Sequence, residues 1–151
     1  MAVHAVSQCG MGSQGRLGVL GLGPIGLLAA QAARARGATG RQQAVIDTVG
    51  TERSIRDGMP MLAKGGVLVL LAVHDVPVSI APIALASERR LVTSSNNRYA
   101  EFPAAIELLA SGAVKVSHLV THRFPLQQAP AAFAMLLKSG RTSAYKVVLL
   151  P

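Results

Sequence analysis

The chain has 151 residues, enough for one domain with a buried core, and half of its residues are hydrophobic, which excludes an intrinsically disordered protein. Its 15 Lys and Arg residues against 7 Asp and Glu residues give a formal net charge of +8. This excess suggests a nucleic-acid partner, but the basic residues are scattered and aromatic residues make up only 3%, so none is expected.

The hydrophobic pattern predicts strands that alternate with helices, an order typical of a parallel sheet with helices on both faces. In chain order it predicts a helix at Ala2–Gln8, a strand at Leu17–Leu20, a helix at Pro24–Arg36, a strand at Gln43–Asp47, a helix at Ser54–Leu62, strands at Val67–Val73 and Arg90–Ser94, a helix at Phe102–Leu109, an extended segment at Leu119–Arg123, a helix at Gln128–Leu137 and a strand at Lys146–Leu150. Lys64–Gly66 is expected to separate the third helix from the strand that follows it.

The most informative motif is the glycine-rich stretch between the first predicted strand and the next helix. It reads Gly-x-Gly-x-x-Gly, with glycines at Gly21, Gly23 and Gly26, and with Pro24 and Ile25 opening the helix. In a dinucleotide-binding turn the first glycine allows the tight turn, the second lets the backbone approach a diphosphate, and the third lets the helix pack on the strand. The N–H groups at the helix start then attract the phosphates. The motif therefore predicts a phosphate site, with an empty glycine-rich turn as the alternative.

Cysteine usage and hydropathy exclude several further classes. Cys9 is the only cysteine, so an internal disulfide and a four-cysteine zinc site are both excluded, and a cytoplasmic location is expected. The uncharged segment Leu17–Ala33 has the hydropathy of a membrane span, but Gly21, Gly23, Pro24 and Gly26 interrupt it. Neither a membrane span nor a signal peptide is therefore expected.

Several segments resemble the C-terminal half of the medium-chain, zinc-type alcohol dehydrogenases. They are Ala5-Val6, Gly21–Leu28, Val45–Asp47 with Gly50, Gly65–Val67 and Lys146–Leu149. Two more, Arg98-Tyr99 and Leu119–Leu126, resemble the polyol (sorbitol) dehydrogenase branch, to which threonine dehydrogenase-like enzymes are close. The resemblance covers nearly the whole chain. It implies one dinucleotide-binding domain at residues 1–151 with a Rossmann-like sheet, NAD as the cofactor with NADP as an alternative, and a homo-oligomer.

The chain departs from this family in two places. The N-terminal half of the family carries the catalytic zinc ligands, and no positions match them here, so no zinc site and no activity of this chain alone are expected. In addition, the family's second strand, its helix and its third strand have no counterpart between Gly40 and Val45. The acidic residue that binds the ribose lies in that stretch of the family.

Asp47 has two interpretations. It lies 21 residues after Gly26, near the spacing of a ribose-binding acid. The resemblance instead assigns Ile46-Asp47 to the family's fourth strand, where Asp47 would cap the turn at Gly50. A usual right-handed crossover would place this strand on the second-strand side of the first strand, whereas the resemblance places it on the opposite side. The two can be reconciled only by a left-handed crossover or a displaced helix. The fourth-strand placement is the one we favour.

Further candidates follow the later strands, because ligands of α/β sheets bind at the carboxyl ends of strands. The resemblance implies that Leu71, Ala72 and Val73 line the nicotinamide with their backbone. Asn97 and Arg98 follow the next strand, and Arg98 is predicted to contact a cofactor phosphate or a substrate hydroxyl, with a plain surface arginine as the alternative.

The histidines are not predicted to bind metal. His118 and His122 have the spacing of a metal pair on a helix, but the segment between them favours a strand and no acidic residue accompanies it. His74 is expected to be a solvated loop residue near the mouth of the cleft.

Two functions remain open at this level. The first is the cofactor-binding part of a zinc-type alcohol or polyol dehydrogenase-like oxidoreductase, which transfers hydride between a secondary alcohol and nicotinamide. The second is a truncated, non-catalytic remnant that folds partly or only as an oligomer, because the missing strands would leave one edge of the first strand open.

Overall fold

The structure, a computed structural model, describes residues 1–11, 15–21, 23–35, 42–72, 74–137 and 144–151. They fall into two units, Met1–Val114 and Lys115–Pro151. The first unit contains α1 (Ala2–Gln8), β1 (Leu17–Leu20), α2 (Pro24–Ala35), β2 (Gln42–Asp47), α3 (Glu52–Gly58), β3 (Leu62–Leu70), β4 (Arg90–Thr93) and α4 (Phe102–Ala110). The second contains β5 (Val120–Pro125), α5 (Ala129–Leu137) and β6 (Lys146–Leu150).

The four strands of the first unit form one parallel sheet in the order β1-β2-β3-β4. Their last residues are aligned, because Leu20 pairs with Asp47, Asp47 with Leu70, and Leu70 with Thr93. The segments that follow these strands therefore begin at the same edge of the sheet. The predicted parallel α/β architecture is confirmed.

Helix α3 differs from its predicted bounds of Ser54–Leu62. It begins earlier, at Glu52, because Thr51 and Ser54 form a reciprocal capping box in which the Thr51 hydroxyl accepts from the Ser54 N–H at 3.1 Å. It ends earlier because a 3₁₀ turn that contains Pro60 follows at Met59–Met61. The predicted end of α2 at Arg36 lies outside the described residues.

Strand β3 begins at Leu62, whereas the sequence predicted a break at Lys64–Gly66 and a strand start at Val67. The register shows why: Gln42 pairs with Leu62 but Ala44 pairs with Val67, so β3 carries extra residues in a bulge. Gly65 sits in that bulge with φ of +70°, a conformation that glycine adopts without strain.

The sheet is covered on both faces, as predicted. Ala44 and Ile46 of β2 face a cluster that contains α1 and the buried alanines of α2, which are Ala29, Ala32 and Ala33. Val45, between them in the strand, packs with Ile55 of α3 on the other face. This alternation follows from the pleat, in which successive side chains point to opposite faces.

The crossovers before and after β2 have opposite hands. The chain steps in one direction from β1 to β2 to β3, yet α2 lies on one face of the sheet and α3 on the other. The β3–β4 connection packs on the α3 face through Ile80 and Ala84, so the β1–α2–β2 crossover has the opposite hand to both crossovers that follow it. A first crossover of the other hand is what the fourth-strand placement of β2 requires, and that placement stays a prediction.

The second unit has a two-stranded parallel sheet of β5 and β6, and α5 follows β5. The Thr121 hydroxyl accepts from the Tyr145 N–H at 3.0 Å and donates to the Lys146 carbonyl at 3.3 Å, which ties the two strands together. Ala132 of α5 is buried in this unit. No helix within the described ranges is both long and apolar enough to cross a membrane.

Candidate functional site

The turn after β1 contains two glycines that its own packing requires. Gly21 has φ of +92°, and a side chain there would collide with the hydroxyl of Thr48. Gly26 lies in the first turn of α2, where an added Cβ would collide with the carbonyl oxygen of Gly21. Neither position accepts another residue without moving the backbone.

Gly23 lies between these two and has a different environment. An added Cβ at Gly23 would meet no described atom within 4 Å, and the residue is exposed. Its carbonyl accepts from the Leu27 N–H at 3.0 Å, so α2 begins here, followed by the half-buried Pro24 and by Ile25, which is 41% exposed. The first N–H groups of a helix have no partner within the helix. The missing side chain at Gly23 leaves this main chain open to approach from outside.

Asp47, the last residue of β2, organises the next turn with its carboxylate. Oδ1 accepts from the N–H groups of Val49 at 2.8 Å and Gly50 at 3.1 Å, and Oδ2 accepts from the Ser54 hydroxyl at 2.7 Å. The side chain has no exposed surface. The carboxylate therefore caps the turn at Gly50 and is not presented to a ligand in this conformation.

Thr48 joins this turn to the end of β1. Its N–H and its hydroxyl both donate to the Leu20 carbonyl, at 3.0 Å and 2.9 Å. The same hydroxyl occupies the space beside Gly21. The turns after β1 and β2 are thus in direct contact.

The turn after β2 also contacts the segment after β3. Gly50 has φ of +70°, and a Cβ on it would lie 2.6 Å from the Cβ of Ala72. His74, which is exposed, donates from Nε2 to the Val49 carbonyl at 2.7 Å. Leu71 is half-buried, and its neighbour Val73 lies outside the described residues. The segments that follow three consecutive strands are therefore in contact with one another.

The segment after β4 begins with Ser94, whose N–H donates to the Leu70 carbonyl at 2.9 Å. Its side chain is buried, and no described residue is a hydrogen-bond partner of its hydroxyl. Asn97 and Arg98 follow, and both are exposed. They share the carboxyl edge of the sheet with the glycine turn.

A partly buried hydrogen bond between two side chains anchors this last segment to α1. His4 Nδ1 and Glu101 Oε1 are 2.7 Å apart, and Glu101 Oε2 accepts from the Arg98 N–H at 3.1 Å. The hydrogen bond with His4, and secondarily that with the Arg98 N–H, lowers the pKa of the Glu101 carboxyl. The position of Arg98 at the sheet edge thus depends on a contact with the first helix.

Sequence reasoning found the glycine turn but missed three groups around it. Thr48 directly follows Asp47, the acidic residue at the end of the second strand. Two consecutive polar residues at a strand end could have indicated a turn at the site. Ser94 and the His4–Glu101 pair had none, because burial of a single serine and a contact between residues 97 positions apart do not show in one sequence.

Metal binding finds no support in the part of the chain that the structure describes, because no three His, Cys, Asp or Glu side chains lie close enough to share an ion. His118 lies in a 3₁₀ turn and His122 in β5, so the two are not on one helix. Burial raises the pKa of the Cys9 thiol to about 12, which disfavours the thiolate that a metal needs.

Comparisons with known proteins agree with this geometry. The family model described as zinc-binding dehydrogenase matches residues 26–149. Among curated proteins, sorbitol dehydrogenase of Ovis aries is 38% identical over 94 residues, which is 62% of this chain and 26% of that protein. Sorbitol dehydrogenase of Homo sapiens is 36% identical over 99 residues, 65% of this chain and 28% of that protein. The chain thus aligns with about a quarter of the length of these relatives.

Solved structures show the same fold over nearly the whole chain. The 2R,3R-butanediol dehydrogenase from Bacillus subtilis superposes with a TM-score of 0.88 at 21% identity, covering 99% of this chain and 55% of that one. A zinc-binding dehydrogenase from Sinorhizobium meliloti bound to NADP gives 0.85 at 23% identity, covering 99% and 56%. A protein named as a short chain alcohol dehydrogenase from Escherichia coli, complexed with NADH, gives 0.84 at 18% identity, covering 99% and 56%.

Proposed function

Because this chain belongs to the zinc-binding dehydrogenase family, we propose that its first unit binds a nicotinamide dinucleotide as the cofactor-binding part of an alcohol or polyol dehydrogenase-like oxidoreductase. The family resemblance seen in the sequence is confirmed, and the sorbitol dehydrogenases are among the relatives. The bound nicotinamide would supply the acceptor or donor of hydride, and the residues of this chain would hold and orient it.

Gly23 is the observation that carries this proposal. Gly21 and Gly26 are glycines because their neighbours leave no room, whereas Gly23 faces open space at the start of a 12-residue helix. A diphosphate that approaches the main chain needs this one glycine and the helix N–H groups beside it, including those of Ile25 and Gly26. Pro24 lacks an N–H, which costs nothing in the first helical turn.

The other predicted residues would act around this turn. Asp47 would contribute indirectly, by fixing the Thr48–Gly50 turn that borders the cleft. The main chain of Leu71 and Ala72 would lie beside the nicotinamide, together with Val73, which is outside the described residues. Asn97 and Arg98 are exposed at the same sheet edge, and the Arg98 guanidinium suits a phosphate or a substrate hydroxyl.

Of the two cofactors we propose NAD, in line with the resemblance to the polyol branch. The buried carboxylate of Asp47 supplies no ribose contact, so discrimination against the extra phosphate of NADP would be weak. A cytoplasmic location and a homo-oligomer stay predictions from the sequence.

The described residues do not fit the zinc ion that the family uses. No three suitable side chains converge, and the one thiol is buried and protonated. We therefore assign no zinc-dependent step to these residues. Substrate activation would need groups that these residues do not provide.

Titration of NADH against the purified chain tests the proposal. The chain contains no tryptophan, so enhancement of NADH fluorescence reports binding without overlap from the protein. We expect saturation at or below about 1 mM, the upper end of ordinary enzyme constants. A parallel titration with NADPH measures the cofactor preference. The proposal fails if neither cofactor gives a saturable signal.

Two surfaces favour the second candidate, a non-catalytic remnant that requires association. Within the described residues β1 pairs only with β2, so its other edge is open. Helix α4 has no buried residue and exposes Phe102, Ile106 and Leu109 at helical spacing. Sedimentation combined with thermal melting separates the candidates. A cooperative melt of a monomer supports the first candidate, and a cooperative melt only in oligomers supports the second.

A further inference from the structure

A cavity of about 520 Å³ lies between α3 with its following turn and the segment that connects β3 to β4. Its walls include Ile55, Arg56 and Met59 on one side and Ile80, Ile83 and Arg89 on the other. None of the residues assigned to the dinucleotide belongs to these walls. The volume lies in the range of sites for small molecules.

Arg89 contributes its guanidinium side chain to the wall of this cavity. Its Nε is buried, and no described residue is a hydrogen-bond partner of that atom. A guanidinium is always charged and only donates, so an unpaired buried N–H loses its water without compensation. A negatively charged acceptor is the ligand group that a guanidinium in a cavity wall favours.

The remaining charges of the cavity also favour an anion. Arg56 adds a second positive charge, and Glu52 is the one acidic side chain in the walls. The other wall residues are mostly apolar, and Ile83 is 77% exposed. Ile83 is the one large apolar side chain of these walls that is exposed, and it gives the cavity an apolar rim above the buried Ile55 and Met59. A ligand that matches both the positive charge and the apolar surface of the walls carries one negative group on an apolar chain or ring.

We propose that this cavity binds small amphipathic carboxylates, with the carboxylate on Arg89 and the apolar part against Ile55, Ile80 and Ile83. The site is separate from the dinucleotide site and goes beyond the proposed function. A carboxylate accepts from a guanidinium in the plane of its donors, and the isoleucines remove the apolar part of the ligand from water.

Methyl NMR with octanoate as the probe tests this site directly. The chain has six isoleucines, of which Ile55, Ile80 and Ile83 line the cavity. Ile25 lies at the glycine turn, Ile46 in the core and Ile106 on α4. We expect octanoate to shift the three cavity methyls saturably and to leave the Ile25 methyl in place. Octanol, which lacks the charge, should bind about tenfold more weakly or worse. Equal affinity for octanol and octanoate would overturn the proposal.

Matched variants separate charge recognition from general attraction to a basic protein. Arg89→Met should weaken octanoate by about tenfold or more and leave octanol unchanged. Arg53→Met is the control, because Arg53 lies on α3 beside the wall residue Arg56 but is not itself in the wall, is 85% exposed and pairs with Asp57 at 3.6 Å. Ala81→Trp places a bulky group on an exposed wall residue and should block both ligands without a change of charge. An Arg53→Met variant that loses as much affinity as Arg89→Met contradicts the site.

NADH added to the same sample distinguishes the two proposals. NADH should shift Ile25 while octanoate stays bound at the cavity. Displacement of octanoate by NADH would place the anion at the glycine turn and overturn this inference. If NADH did not shift the Ile25 methyl while octanoate still shifted the three cavity methyls, the dinucleotide proposal alone would be contradicted.

Discussion

The carbonyl oxygen of Gly21 occupies the space that a side chain on Gly26 would need. This contact fixes the distance between the end of β1 and the first turn of α2. It explains Gly26 by packing, as the Thr48 hydroxyl explains Gly21, and it leaves Gly23, where an added Cβ meets no described atom within 4 Å, as the glycine that points to a ligand.

Substitutions at Gly26 and Gly23 should have different effects on stability. Gly26→Ala should lower the free energy of unfolding by about 1–3 kcal/mol, because a rigid backbone atom blocks the new Cβ. Gly23→Ala should change it by less than about 0.5 kcal/mol. Thermal melting followed by circular dichroism measures both. Equal loss in the two variants would mean that Gly23 is also a packing residue.

Asp47 should matter for stability and not for the choice of cofactor. Asp47→Ala leaves two N–H groups of the turn without an acceptor, and we expect a loss of about 3 kcal/mol. Asp47→Asn keeps one acceptor oxygen and should lose about 1 kcal/mol. The control is Asp57→Ala, whose carboxylate is 56% exposed and makes one weak ion pair, with an expected change below about 0.5 kcal/mol.

The ratio of NADH to NADPH affinity in Asp47→Asn completes this test. We expect the same affinity ratio in Asp47→Asn as in the wild type, because the Asp47 carboxylate faces the protein and not the cofactor. A tenfold fall in preference for NADH would show that Asp47 reaches the ribose.

Glu101 should make stability depend on pH in the acid range. The His4 hydrogen bond lowers the pKa of Glu101 in the folded state, so the carboxylate stabilises the fold above its unfolded pKa, near about 4.3, and this contribution disappears as the pH falls through the folded pKa. Glu101→Gln should therefore melt below the wild type at pH 6, with a difference that narrows as the pH falls to about 3. Glu107→Gln, an exposed change of the same kind on α4, is the control. A constant difference across the range would contradict the pairing.

Cys9 should be inert in the folded protein. Its pKa of about 12 leaves almost no thiolate at neutral pH, and its Sγ donates to the Ala5 carbonyl at 3.4 Å. A disulfide reagent such as DTNB should label this single thiol slowly in buffer and rapidly in urea. Fast labelling in buffer would show that α1 detaches from the sheet.

Local signals in the sequence determined much of the fold. The bounds of α1, β1 and β6 agree with the sequence predictions, because short apolar runs between glycine or polar breaks are unambiguous. The start of β3 was wrong, since two adjacent glycines usually end a strand and here they form a bulge inside one. Context outside the segment decides between these outcomes.

The hand of the β1–α2–β2 crossover could be stated only as a conflict between a general rule and a family resemblance. In the structure the alanines of α2 and Ile55 of α3 lie on opposite faces of the sheet, which favours the family resemblance over the general rule. The candidate site likewise has a part that the sequence predicts and a part that it does not. The glycine turn has a sequence motif, whereas the His4–Glu101 anchor depends on tertiary packing and leaves none.

The dissociation constant of NADH for the wild type and for Gly23→Val, measured with the melting temperature of each, tests the central claim most directly. The account predicts saturable binding by the wild type, at or below about 1 mM, and its loss in a Gly23→Val protein that melts at the same temperature. Binding that is absent from the wild type, or that is unchanged in Gly23→Val, would contradict a dinucleotide site at this turn.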